Sequence, residues 1–336
     1  MLRATLAIWI VAACGPAPLP VEPPAITAPA PKPARHGQAW LPTTRALVAD
    51  IAWLADPARE GRRAGSRGEA DADAWLAERF GKIGLVAEGD AGGWLQRVPM
   101  GPDQHTANVI GWLPGRDPTA PWILVGAHVD HLGVDDRGQL YPGADDNASG
   151  VAAMLGVATA LAASEQLRGG VLFVGFGGEE VGLLGSKWLA GHLPQPAEHC
   201  AAVINLDMVG RSPFLGAREY AMPKVIAGIE VAPAVGVLDG ESGSPLLAVA
   251  REACSKAGIR MYAAEDFPHL EASLREQAAG RSDDSSFSAL HLPTLFFSTS
   301  LQDDYHQPTD TVEKIDGDTL RRITQAVRAV VRRVAS

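Results

Sequence analysis

The chain has 336 residues, 46% of them hydrophobic and 20% charged, a globular composition that excludes wholesale disorder and allows two domains or one large α/β domain. Lys and Arg total 29 against 39 for Asp and Glu, a net charge of −10; with no basic block, the sequence lacks the cationic surface that nucleic-acid binding requires. Three cysteines, Cys14, Cys200 and Cys254, are too few for a disulfide scaffold or a cysteine-built zinc site, so any metal must be held by histidines and carboxylates.

The first stretch reads as an export signal rather than as part of the fold. Arg3 is followed by an apolar run from Ala4 to Ala13, about half the ~20 residues a membrane-spanning helix needs. The run closes in Val11-Ala12-Ala13-Cys14, which resembles a bacterial lipobox, so Cys14 is expected to become the acylated first residue of an exported, envelope-bound protein. Residues 14–39 form a Pro-rich tether, with eight of the 25 prolines between 15 and 34 favouring extended polyproline II. The catalytic domain is then expected over 40–336.

Within it, Thr43 to Leu54 and Gly68 to Lys82 carry helical periodicity, the second with Ala72, Trp75, Leu76 and Phe80 on one face. Four short apolar runs predict buried strands at Trp122–Ala127, Val171–Phe176, Ala202–Leu206 and Thr294–Ser298. A helix from about Ala148 to Ala163 lies between the first two, and Leu246–Ala257 and Leu320–Val334 read as further helices. Alternating strands and helices predict a single three-layer α/β/α domain around a mostly parallel mixed sheet. Residues 212–245 carry Gly and Pro without clear periodicity.

Each predicted strand is followed at once by acids or histidines. His128, Asp130 and His131 follow the first, Glu179 and Glu180 the second, Asp207 the third, and Asp304, Tyr305 and His306 the fourth. A fifth cluster, Gly143-Ala144-Asp145-Asp146-Asn147-Ala148-Ser149-Gly150, leads into a helix. A lone histidine or a glutamate pair is ordinarily a surface feature, but open α/β sheets bind ligands at the carboxyl ends of their strands, where all five clusters would converge. Imidazoles and carboxylates without thiolates are the donors of a hydrolytic zinc site. Five such groups exceed what one catalytic zinc usually takes and suit two metals bridged by a carboxylate, ~3.5–4 Å apart. Asp130, two residues from His128, is placed to accept that imidazole's second N–H. Glu179 and Glu180 offer one ligand and one free carboxylate as general base.

The ordered motif set resembles the co-catalytic di-zinc aminopeptidases of the MH clan, the bacterial leucyl aminopeptidase and aminopeptidase Y type. It comprises Ala127-His128-Val129-Asp130-His131-Leu132-Gly133, the run at 143–150, Phe176-Gly177-Gly178-Glu179-Glu180 and Gly182-Leu183-Leu184-Gly185-Ser186. Asn205-Leu206-Asp207-Met208-Val209-Gly210 and Tyr305-His306 before Thr309-Asp310-Thr311 follow, with Glu60-Gly61-Arg62 and Asn108-Val109-Ile110-Gly111 upstream. The resemblance implies a zinc-exopeptidase fold and two Zn²⁺ per chain bridged by Asp145, with His128 and Asp207 completing one site and Glu180 and His306 the other. It further implies Glu179 as general base, Asp130 as the carboxylate orienting His128, Tyr305 as a phenol for the tetrahedral oxyanion, and a cis bond between Asp145 and Asp146. His131 matches the motif without being a ligand in it. Substrates would be peptides with a free N-terminus.

One departure is Ser282-Asp283-Asp284, where members often have Ser-Asp-His, and it bears on the substrate pocket. A single-zinc glutaminyl cyclase, a di-zinc carboxypeptidase or dipeptidase, and a metal-free binding module are the alternatives. Asp146-Asn147 favours the hydrolase over the cyclase, and five filled ligand positions disfavour the binding module.

Overall fold

The computed structural model describes residues 42–164, 166–212, 234–240, 244–288 and 290–336. The signal segment 1–13, the tether 14–39 with Cys14, and most of 212–245 lie outside the described residues. Helices α1 (Thr44–Leu54) and α2 (Arg67–Ile83) open the described chain, followed by β1 (Val86–Ala87), β2 (Leu95–Pro99) and β3 (His105–Leu113). Then come β4 (Trp122–His128), a small ribbon of β5 (Gly133–Val134) and β6 (Leu140–Tyr141), α3 (Gly150–Ala162), β7 (Val171–Phe176), α4 (Leu184–Ala190) and β8 (Cys200–Leu206). The remainder is β9 (Ala234–Asp239), α5 (Pro245–Lys256), β10 (Arg260–Tyr262), α6 (Glu271–Ala278), α7 (Asp284–Ser288), β11 (Thr294–Ser298) and α8 (Gly317–Val334).

The helices start where their sequences supply an acceptor. Thr43, Ser66 and Asp316 cap α1, α2 and α8 by accepting from amides in the first turn, and Gly84, at φ +93°, ends α2 in the left-handed conformation that a residue without Cβ adopts freely.

Among the described residues the main sheet runs β1-β3-β7-β4-β8-β11-β9-β10, with β2 on β3. The four strands expected from sequence fill the adjacent places β7-β4-β8-β11 and are mutually parallel. Antiparallel β1, β2 and β3 extend one side, and β9 joins β11 antiparallel on the other. The mostly parallel mixed sheet is therefore as expected, while β1, β2, β3, β9 and β10 are additions.

Strand alternation sends Ile123, Val125 and Ala127 of β4 to a large core shared with α1, α2, α3, α5 and α8, and Trp122 and Leu124 to a smaller one with Leu189 of α4 and Phe287 of α7. The result is three layers. Helix α3 is buried almost all round, and at Gly156 an added Cβ would fall within 3.0 Å of Pro42, Leu47 and Thr324 side chains, so that position carries the close approach of its neighbours. No described helix is long and apolar enough to cross a membrane.

The chain leaves β4 for β7 on one side and later returns to β8 on the other. Connections thus part on either side of β4, and the carboxyl end of that strand is where such sheets open a crevice.

Candidate metal centre

The segments leaving β4, β7, β8 and β11, together with the loop before α3, bring the imidazoles and carboxylates into one cluster. His128 Nε2 lies 3.3 Å from Asp146 Oδ1 and 3.5 Å from Asp207 Oδ1. On the other side of Asp146, His306 Nε2 lies 3.3 Å from Asp146 Oδ2 and 3.0 Å from Glu180 Oε2. His131 joins this second group, with Nδ1 2.8 Å from Glu180 Oε1 and 3.7 Å from Asp146 Oδ2. The cluster thus has two halves that share one carboxylate.

That shared residue is Asp146, which corrects the expectation of Asp145. Asp310 accepts the backbone N–H groups of both Asp145 and Asp146, fixing the turn from a distant part of the chain. Asp145 is drawn away toward the segment after β8, where its Oδ1 accepts from Gly210 N at 2.7 Å, and Asp146 alone faces the histidines. The cis peptide bond is correspondingly Asp146–Asn147, not Asp145–Asp146. The Asn147 side chain ties the loop to β8, donating to Leu206 O and accepting from Met208 N and Gly150 N.

Asp130 also differs from expectation. Its carboxylate accepts from the backbone N–H groups of Glu179 and Glu180 at 3.0 and 3.2 Å, while His128 Nδ1 meets the Asp130 backbone oxygen at 3.1 Å and the nearer carboxylate oxygen only at 3.9 Å. The side chain therefore orients the glutamate turn, and the main chain orients the imidazole. Beneath the same turn, buried Glu69 accepts from Thr106 Oγ1 and Gly65 N.

Several supporting residues have roles that only tertiary contacts reveal. Ser282 donates to Asp207 Oδ2 at 2.7 Å and accepts from Asn205, leaving Asp207 Oδ1 to face His128. Arg62, fully buried, donates to the carbonyls of Leu54, Val129, Pro142 and Gly143, pinning the His128–His131 segment to the Asp146 loop. Arg211 pairs with Asp310 and Asp304. The motif runs quoted above contain Arg62 and Asp310, but only tertiary contacts reveal what they hold. Tyr305 is half-buried and stacks on His306 with ring centroids 3.8 Å apart.

The charge balance favours cations. Burial opposes ionisation of Asp146, but the imidazoles of His131, His128 and His306 outweigh it and hold the carboxylate below its ordinary range. Burial likewise disfavours protonated imidazole at His306, yet the carboxylates of Asp146 and Glu180 beside it push it up to about 10. Burial, reinforced by Asp207, Asp283 and Glu180, pushes Glu179 up to about 10 against the pull of His128. Cys200 and Cys254 are buried and free, far from this donor chemistry in kind: burial pushes both thiols to about 12.

The donor set suits zinc. Zn–N and Zn–O bonds of ~2.0–2.2 Å put neighbouring ligand atoms of a tetrahedron ~3.3–3.6 Å apart. His128 and His306 keep spacings of 3.0–3.5 Å to their carboxylates. Asp146 Oδ2 is buried without a hydrogen-bond donor although two imidazoles converge on it, as expected of an oxygen kept for a cation.

Comparison with known proteins agrees with this chemistry. Residues 108–331, about two thirds of the chain, match the model of peptidase family M28. The chain belongs to peptidase family M28. Among its relatives, Aminopeptidase YwaD of Bacillus subtilis is 29% identical over 240 residues, covering 68% of this chain and 45% of that protein. The chain spans between 30 and 45% of the length of the first curated relatives it matches. By fold it is similar to BSAP, a zinc aminopeptidase from Bacillus subtilis, with TM-score 0.64, 18% identity, and 87% of this chain and 95% of that one covered. A glutaminyl cyclase of Porphyromonas gingivalis is similar too, with TM-score 0.63, 18% identity, and 87% and 98% covered.

Proposed function

We propose that this M28 member is a zinc-dependent aminopeptidase with two zinc ions per chain. The observation that carries the reading is the single carboxylate, Asp146, standing between a His128–Asp207 pair and a Glu180–His306 pair at ligand spacing. His128, Asp146 and Asp207 would hold one ion, and Asp146, Glu180 and His306 the other. Zinc supplies Lewis-acid polarisation of the scissile carbonyl and lowers the pKa of water enough for attack near neutral pH.

The chain's own groups do the rest. Glu179, beside His128 and outside the ligand set, would be ionised by the two adjacent cations, take the proton from the attacking water and return it to the leaving amine. Asp130 holds the Glu179–Glu180 turn through both amides, so base and ligand keep fixed relative positions. Tyr305, stacked on His306, would offer its phenol to the oxyanion.

A second reading, the single-zinc glutaminyl cyclase, draws on the fold likeness to the Porphyromonas gingivalis enzyme. Zinc analysis combined with a panel of aminoacyl substrates and an N-terminal glutamine peptide separates the two. Two zincs with release of N-terminal residues support the aminopeptidase; one zinc with cyclisation of the glutamine peptide overturns it. Carboxypeptidase or dipeptidase action would appear in the same panel as cleavage only of carboxyl-terminal residues or of dipeptides.

The reading extends to location. Cys14, closing an apolar run too short to span a bilayer, would carry an acyl anchor and hold the enzyme at the bacterial envelope through the Pro-rich tether. Mass spectrometry of the mature N-terminus tests this: an acylated Cys14 is expected, and an unmodified terminus elsewhere removes the anchor.

A further inference from the structure

His131 stands within ligand reach of Asp146 and Glu180, so its own chemistry must decide whether it binds the cation or a ligand. It is fully buried and held from three sides. Its backbone N–H donates to Arg62 O at 3.0 Å, and its strand-like bridge to Arg63 fixes the main chain. Its ring lies against Gly143, where an added Cβ would come within 2.5 and 2.6 Å of Cδ2 and Cγ, and it meets His306 edge-on with centroids 5.9 Å apart. Gly143, at φ +62°, makes room for the ring, and the hydrogen bond to Glu180 selects which edge faces it.

Nδ1 is 2.8 Å from Glu180 Oε1, a hydrogen-bond distance, and 3.7 Å from Asp146 Oδ2. Nε2 is buried with no partner. Were Nδ1 to bind a cation, Nε2 would carry the proton and leave a buried N–H without an acceptor, the orphan that folded proteins avoid most. With the proton on Nδ1, the ring donates to a carboxylate that can only accept, and the unpartnered atom is a lone pair.

We propose that His131 is a positioning residue for the Glu180–His306 half of the centre: its Nδ1–H engages Glu180 Oε1 and leaves Oε2, 3.0 Å from His306 Nε2, as the single oxygen offered to the cation. This rests on the two-zinc reading above. It differs from a ligand role for His131 and from a packing role, and each makes a distinct forecast.

The test uses the full chain, zinc as the probe, and competition with a chelator of graded concentration to read the affinity of each bound ion. The wild type is expected to hold two zincs. His131→Ala is expected to keep one at wild-type affinity and bind the other about 10–100-fold more weakly, the usual cost of losing a partner behind a ligand. His131→Asn, whose amide N–H reaches about where Nδ1 stands, is expected to restore most of that affinity. Imidazole ¹⁵N NMR of the zinc-loaded wild type should show a proton on Nδ1 of His131, and it needs no variant to fold.

Wild-type affinity for both zincs in a folded His131→Ala overturns the proposal. So does an asparagine variant as weak as the alanine one, or a proton found on Nε2. Fewer than two zincs in the wild type would instead defeat the two-zinc reading, whatever the variants do.

Discussion

The two halves of the centre are built differently. His128 and Asp207 stand at the ends of neighbouring parallel strands β4 and β8, and His128 has only 1% of its side chain exposed. His306 comes from an irregular segment well past β11, at φ +56°, with 33% of its side chain exposed. One half is held by the sheet and the other by loops braced with Asp130, His131 and Asp310. Strand-borne ligands need little beyond the fold, whereas loop-borne ligands need partners of their own. The Glu180–His306 half should therefore lose its ion first under chelation and respond most to substitutions around it.

Asp146 belongs to both halves, so its substitution abolishes the comparison altogether. Asp146→Asn should lose both zincs and bring hydrolysis to background, while Asp145→Asn, which keeps an acceptor for Gly210 N, should retain metal and most activity. Metal content of the two purified variants checks this, and loss of zinc from the Asp145 variant alone would return the bridging role to that residue.

The next effect separates chemistry from metal binding within one turn. Glu179→Gln keeps size but cannot take a proton, so both zincs should remain while kcat falls on the order of 10²–10⁴-fold. Glu180→Gln should release the loop-held ion and recover in part with added zinc. Zinc loss from the Glu179 variant with retention in the Glu180 variant would mean that the roles are exchanged.

A smaller effect probes the strand-borne half. Ser282→Ala removes the donor to Asp207 Oδ2, which should weaken the His128–Asp207 ion about 10-fold and leave the other unchanged. If instead the loop-held ion weakens, the halves are coupled more tightly than their separate supports suggest.

These supports also mark where the sequence stopped being legible. The four central strands are buried on both faces, so they read as unbroken apolar runs. Their acidic and histidine termini could be placed on one sheet edge without coordinates. Strand β3 begins with polar residues and pairs antiparallel, and β9 lies in a stretch without clear periodicity, so neither announced itself. Asp145 and Asp146 are identical neighbours, and the choice between them is made by Asp310, 164 and 165 positions away, and by Gly210. Asp130 and His131 show the same limit: residue type and spacing identified the cluster, but which atom faces which depends on the turn between strands.

The smallest expected effect lies under the glutamate turn, in a group that binds no metal. Glu69 is buried on α2, and burial, reinforced by the nearby Asp130, pushes its carboxyl up to about 8 from 4.5. An acid with a raised folded pKa keeps its proton in the native state where the unfolded chain has lost it. Between pH 4.5 and about 8 the native state therefore binds more protons, and stability must fall as pH rises through that window. Glu69→Gln removes the ionisation while retaining an acceptor for Gly65 N and a donor that Thr106 Oγ1 can accept. The variant should match the wild type near pH 4.5 and exceed it in denaturant midpoint above pH 8, with zinc content unchanged. Parallel stability profiles of the two proteins would show that Glu69 does not resist ionisation in the fold. Loss of the Glu180–His306 ion alone would show that this buried acid supports the loop-borne half directly, through the turn it underlies.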